Sequence, residues 1–129
     1  MARKNIPSNS PFEDQIGFSR AVRVGNHIFI SGTAPIAPDG STACPGDAYG
    51  QAKRCLEIIN SAIENSGGLL SDVIRTRTYL TDAAHWQDVG RAHGEYFADI
   101  RPSSTMVVVS GLVRDDWMVE IEAEAIVEE

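Results

Sequence analysis

The stretch that most constrains this chain is the run Arg101-Pro102-Ser103-Ser104-Thr105-Met106-Val107-Val108-Val109-Ser110-Gly111-Leu112, followed after a turn by Val119-Glu120-Ile121-Glu122-Ala123-Glu124-Ala125. An apolar run opened by Pro and closed by Gly suits a strand buried on both faces. The second stretch alternates strictly, so Glu120, Glu122 and Glu124 form one face and Val119, Ile121, Ala123 and Ala125 the other. Together they read as a strand pair. Such strands need a layer to cover them, and the upstream sequence supplies it.

Ala2 to Asp14 is polar, holds Pro7 and Pro11, and reads as a terminal arm covering residues 1–14. Gly17 to Val24 and His27 to Ser31 are strand-like runs joined by Gly25-Asn26, which suits a tight hairpin. In the second run, Ile28 and Ile30 face one side and His27, Phe29 and Ser31 the other. Pro35, Pro38, Asp39-Gly40, Pro45 and Gly46 make residues 32–47 turn and loop, with a short strand expected at Thr33 to Ile36. Ala48, Ala52, Cys55, Ile59, Ala62 and Ile63 then recur at helical spacing behind the cap Asp47, and Gly67-Gly68 stops the helix. Leu70 to Leu80 is rich in β-branched residues and predicts a strand. Trp86, Val89, His93, Tyr96, Phe97 and Ile100 predict a second amphipathic helix that Pro102 ends.

Strand, helix, strand, helix, strand is two crossover units in succession. Right-handed crossovers put both helices on one face of the sheet and leave the other bare, and a bare apolar face is most simply covered by further copies of the chain. Arg75, Arg77 and Tyr79 share a strand face, so that the arginines are expected to pair with the carboxylate stripe on a neighbouring strand.

Charge and length narrow the functional classes. A chain of 129 residues, 43% hydrophobic, is one domain, and its formal net charge of −7 opposes binding to a phosphate backbone. No apolar stretch reaches the roughly 20 residues needed to cross a bilayer, and Met1 to Ser10 lacks the apolar centre of a secretory signal, so the expectation is a cytoplasmic protein with no membrane or nucleic-acid partner. Cys44 and Cys55 fit no metal-ligand spacing, His27, His85 and His93 are scattered, and no metal or cofactor is expected. Ser31 and Ser104 lack the nucleophile-elbow spacing and any His at a useful interval, which argues against a serine hydrolase.

Several segments, in order, resemble the reactive-intermediate deaminases, the RidA/YjgF family. Ile16-Gly17-Phe18-Ser19-Arg20-Ala21-Val22 is similar to the family's Ile-Gly-Pro-Tyr opening with one residue fewer. Ser31-Gly32-Thr33 is similar to its Ser-Gly-Gln, Asp72-Val73-Ile74-Arg75-Thr76 to its Asp-Val-Val-Lys-Thr, and Val119-Glu120-Ile121-Glu122-Ala123 to its closing strand. The resemblance spans about Gln15 to Val127 and implies an α+β, chorismate-mutase-like (YjgF-like) fold. That fold is a mixed sheet with two helices on one face, and it implies a homotrimer around a central barrel with ligand clefts between subunits.

The activity implied is hydrolysis of imines and enamines such as 2-aminoacrylate to 2-keto acids and ammonia. The resemblance gives Glu120 the water-orienting role and places Phe18, Ser31, Thr33, Ser104, Thr105 and Met106 along the cleft. Ser104 stands where the family's Pro-x-Arg motif has the arginine that holds the substrate carboxylate. A hydroxyl offers one neutral hydrogen bond in place of a bidentate, charge-assisted pair, a loss of roughly 1.5–3 kcal/mol. Arg20, two residues from Phe18 on the same strand face, is the candidate replacement, with a surface arginine as the alternative. Two readings follow: a deaminase of altered substrate, or a non-catalytic trimer that holds a small metabolite in the same cleft.

Overall fold

The computed structural model describes residues 2–8 and 10–128. Six strands form one sheet: β1 (Arg3–Ile6), β2 (Ala21–Val24), β3 (His27–Thr33), β4 (Val73–Leu80), β5 (Ser103–Val108) and β6 (Val119–Ile126), in the spatial order β1-β2-β3-β6-β4-β5. The helices are α1 (Glu13–Ile16), α2 (Ala48–Asn65) and α3 (Trp86–Phe97). α2 begins where its sequence requires, with the Asp47 side chain accepting the Gly50 N–H at 3.0 Å, and α3 packs beside it on the same sheet face.

The core lies between that face and the helices. Ile28 and Ile30 of β3, Leu80 of β4, and Val119 and Ile121 of β6 meet Leu56, Ile59 and Ile63 of α2 and Val89 and Phe97 of α3, all buried. The alternation expected in β3 and β6 is present, which leaves Phe29, Glu120, Glu122 and Glu124 on the opposite, uncovered face. There Arg77 pairs with Glu122 at 3.4 Å and Glu124 at 4.0 Å, and Tyr79 donates to Glu122 at 2.7 Å.

Several expectations are corrected. β5 and β6 are not neighbours: β4 lies between them, parallel to β5 and antiparallel to β6. β5 is therefore an edge strand, and in a single chain its residues are exposed or half-buried instead of covered on both faces. The arm is partly ordered, because Arg3–Ile6 pairs with β2 in the register Arg3↔Val24 to Ile6↔Ala21 and Glu13–Ile16 closes a helical turn on Gly17 at φ 84°. That turn delays β2 to Ala21. The strand expected at Thr33 to Ile36 is instead the end of β3 at Thr33 plus an isolated bridge from Ile36 to Thr42, and Leu70–Asp72 is a short 3₁₀ turn before β4.

Candidate functional site

Glu120 leaves β6 on the uncovered face beside the bulge that interrupts β3 between Ile30 and Thr33. Gly32 sits in that bulge, and a Cβ built there would lie 3.3 Å from the Glu120 Cδ and closer still to a carboxylate oxygen. The acid thus rests on the one residue type that leaves it room. Half-burial raises the Glu120 pKa above its usual value, with Glu122 adding to the rise and Arg20 opposing it. A glutamate held in this way is a better proton acceptor than an exposed one.

Arg20 stands beside Glu120. Its Nη1 donates to the Gly32 carbonyl at 2.9 Å and to Thr33 Oγ1 at 3.0 Å, and its guanidinium lies 5.6 Å from the Phe18 ring centroid. Burial lowers the arginine's pKa while Glu120 and Glu13 support its charge. Thr33, 1% exposed, also donates to the Ser31 carbonyl at 2.8 Å, so its hydroxyl positions Arg20. The Ser31 hydroxyl donates to the Ser19 carbonyl at 2.7 Å, which ties the Phe18–Arg20 segment to β3. Phe18, Arg20, Ser31, Thr33 and Glu120 therefore form one connected group, although residues 17–20 are not the strand that alternation suggests.

Ser104, Thr105 and Met106 lie elsewhere. Ser104 is level with Thr76 and Glu120 with Tyr79, so the serine side chain follows the helix-covered face of β4 and the glutamate the uncovered one. Within a single chain the two are on opposite faces and separated by β4. Met106 packs against the core and Thr105 is exposed. A hydrogen-bonded chain that the sequence does not announce ends on Ser104: Thr76 Oγ1 is 2.9 Å from Ser104 Oγ and 2.8 Å from His93 Nε2. The absence of a histidine at a useful sequence interval was thus a poor guide, because β4 brings His93 to the serine through a buried threonine. Burial lowers the His93 pKa and favours the neutral ring.

Two hollows flank the group. One, of about 240 Å³, lies between β1, residues 34–38 and α2, with Arg20 and Arg54 in its wall. The other, of about 200 Å³, is on the uncovered face between Ser31, Phe29, Arg75 and Glu122. Among the described residues, no group of His, Cys, Asp or Glu is arranged to hold a metal ion, and no helix is long and apolar enough to cross a membrane.

The fold is shared with known proteins. Residues 9–127 match the sequence model of the family described as Endoribonuclease L-PSP. The chain belongs to that family. Among solved structures, a Mycobacterium tuberculosis member of the YjgF/YER057c/UK114 family is 39% identical, with a TM-score of 0.88 over 98% of this chain and 100% of the other. The YjgF gene product of E. coli is 29% identical, with a TM-score of 0.83 over 95% and 98% of the two chains. In sequence, the 3-aminoacrylate deaminase RutC of Acinetobacter baylyi is 34% identical over 81% of this chain and 82% of its own. The YjgF-type mixed sheet with helices on one face is thus the fold of this L-PSP family member.

Proposed function

We propose that this L-PSP family member hydrolyses small imines or enamines at clefts completed by a second copy of the chain, in a homotrimer, on substrates that differ from 2-aminoacrylate in how their anionic end is held. The observation that carries the reading is the Glu120 carboxylate, half-buried on Gly32 with a raised proton affinity and Arg20 beside it. In the reaction, Glu120 takes a proton from water as the water oxygen bonds to the C=N carbon and the C=N electrons move to nitrogen. The protonated glutamate then returns the proton to nitrogen to give a carbinolamine. Glu120 next carries the carbinolamine's hydroxyl proton to that nitrogen, the C=O bond forms as the C–N bond breaks, and a carbonyl compound and ammonia leave. An enamine enters the same route once its carbon has been protonated.

The separation of Ser104 from Glu120 supports a cleft between copies. β5 carries an open strand edge, and Phe29 and Val107, 47% and 42% exposed on the uncovered face, are an unfavourable surface for an isolated chain. Placing the β5 edge of one copy over Glu120 of the next would cover that surface and carry Thr105, with Ser104 beside it at the strand edge, toward Phe18 and Arg20, while Met106 stays packed against its own core and would shape the cleft from behind. The deaminase named among the relatives supports the reaction class, and the net charge of −7 disfavours an RNA substrate.

The test is consumption of freshly generated 2-iminopropionate and bulkier imines by the parent, Glu120→Ala and Ser104→Arg, with the mass in solution measured by light scattering. Activity in the parent that Glu120→Ala abolishes, in a trimer, is the expected result. An inactive parent from which Ser104→Arg gains activity would instead favour the binding protein, which the internal use of the Ser31 and Thr33 hydroxyls also suits.

A further inference from the structure

The groove between β1, residues 34–38 and α2 is chemically unlike the Glu120 site. Its floor is apolar, from Ile6, Ile36 and Ala62, and Ser61 and Asn65 stand at its rim. Two guanidinium groups face it, and among the described residues no acidic side chain lines it. Arg54 is fixed by its Nε, which donates to the Ile36 carbonyl at 2.7 Å, and Arg20 by its Nη1 on Gly32 and Thr33. Each is anchored through part of its donor set to the chain leaving β3, which leaves other N–H groups to aim. Among the described residues, ion pairs within 4.0 Å involve Lys53, Arg77 and Arg91, and neither Arg20 nor Arg54. Glu13 and Glu120 support the charge of Arg20 from outside the lining, and the Glu13 carboxylate is engaged by the Ser8 N–H at 3.1 Å. Lys4 adds positive charge nearby, its Nζ donating to the Asn65 carbonyl at 2.9 Å and closing β1 onto the end of α2.

In a chain of net charge −7, pinned arginines with free donors over an apolar floor are a local reversal of charge. If they served only to tie the loop to α2, one neutral donor on each carbonyl would do. We propose that this groove binds a small carboxylate with a short apolar chain, its carboxylate held by Arg54 and Arg20 and its chain on Ile6 and Ile36. The volume of about 240 Å³ suits a metabolite smaller than a drug-sized ligand. Fixing the guanidinium groups in advance lessens the ordering that binding would otherwise require. The site shares Arg20 with the Glu120 group but takes Arg54, Ile6 and Ile36 from outside it and needs neither a second copy of the chain nor the Glu120 carboxylate, so binding here can be read separately from imine hydrolysis.

The probes are acetate, butyrate and hexanoate, with butyramide as the uncharged control, added to the full-length protein and followed by thermal unfolding and titration calorimetry. Butyrate and hexanoate should raise the melting temperature saturably, and butyramide should not. Arg54→Met should weaken butyrate binding at least about tenfold, the loss of a hydrogen bond to a charged group. Ser61→Trp, which fills the groove from an exposed position, should abolish it even if Arg54→Met folds poorly. Glu120→Gln should keep it. No saturable effect of any carboxylate on the parent, equal binding of butyramide, insensitivity to both groove variants, or loss of binding in Glu120→Gln would each overturn the proposal.

Discussion

Gly32→Ala separates the stability of the fold from the position of Glu120. Gly32 is not among the glycines at positive φ, so its backbone accepts alanine, and the three atoms nearest the new methyl all belong to the flexible Glu120 side chain. Alanine narrows the unfolded ensemble and stabilises by about 0.4–1 kcal/mol, whereas turning Glu120 off its rotamer costs about 0.5–1.5 kcal/mol. These nearly cancel. The melting temperature should then shift by no more than roughly 4 °C, the effect of about 1 kcal/mol on a domain of this size. Imine consumption should respond very differently, since displacing a catalytic group by about 1 Å can cost on the order of 100-fold. Melting curves and initial rates on one preparation decide the matter. A Gly32→Ala protein that melts like the parent and consumes imine within about threefold of its rate would show that the Glu120 position is not what the reaction uses.

Thr76→Val keeps the shape of a fully buried side chain but removes the hydroxyl between His93 and Ser104, and urea unfolding should show a loss of about 1–3 kcal/mol; an unchanged midpoint would mean the chain of hydrogen bonds contributes nothing. Glu120 should oppose stability at neutral pH. Its folded pKa is raised above the usual 4.5, so the unfolded chain releases the proton at lower pH, and stability falls as pH rises from about 4.5 through the folded value. Glu120→Gln should remove that dependence and unfold at higher urea than the parent at pH 7; a lower midpoint there would contradict it. Native protein should take up iodoacetamide at Cys44, which is exposed, and not at Cys55, whose thiol is fully buried with its pKa pushed up; equal labelling by mass spectrometry would refute the packing of α2.

What the sequence shows of this fold follows from local periodicity. Alternation in Val119–Ala125 and His27–Ser31, the Asp47 cap, and the apolar spacing of α2 each record which side of an element meets the core, and the structure agrees with all of them. The adjacency of β4 and β6 is not local. Nothing in residues 101–125 says that a strand begun at Val73 lies between the last two, because pairing partners far apart in sequence leave no periodic trace. β1 was missed for a related reason: an edge strand with exposed Arg3, Lys4 and Asn5 lacks the apolar alternation that marks a half-buried one. The Thr76–His93 bond spans 17 residues and the Thr76–Ser104 bond 28; the packing of α3 against β4 creates the first and the parallel register of β4 and β5 the second.

The exposure of β5 bears on how the Ser104 difference should be understood. Its apolar run, Met106 to Val109, suggested burial that a single chain does not supply, which is expected of a strand whose cover is another molecule. If that molecule presents Glu120 and Arg20, a cleft with Ser104 in it is not without a cation; its cation lies on the opposite wall, tied to Gly32 and Thr33. Arg77 is a poorer candidate, being paired with Glu122 and Glu124. A carboxylate held by Arg20 instead of a residue at position 104 would approach Glu120 from the side of its own chain, and the reacting carbon would sit at a different distance from the base. The substitution therefore predicts a change in which imines fit before it predicts a loss of hydrolysis. Rates across imines of increasing chain length, with and without Ser104→Arg, should show the preferred length shifting between the two proteins; parallel profiles would mean that position 104 does not set where the substrate's anionic end is held.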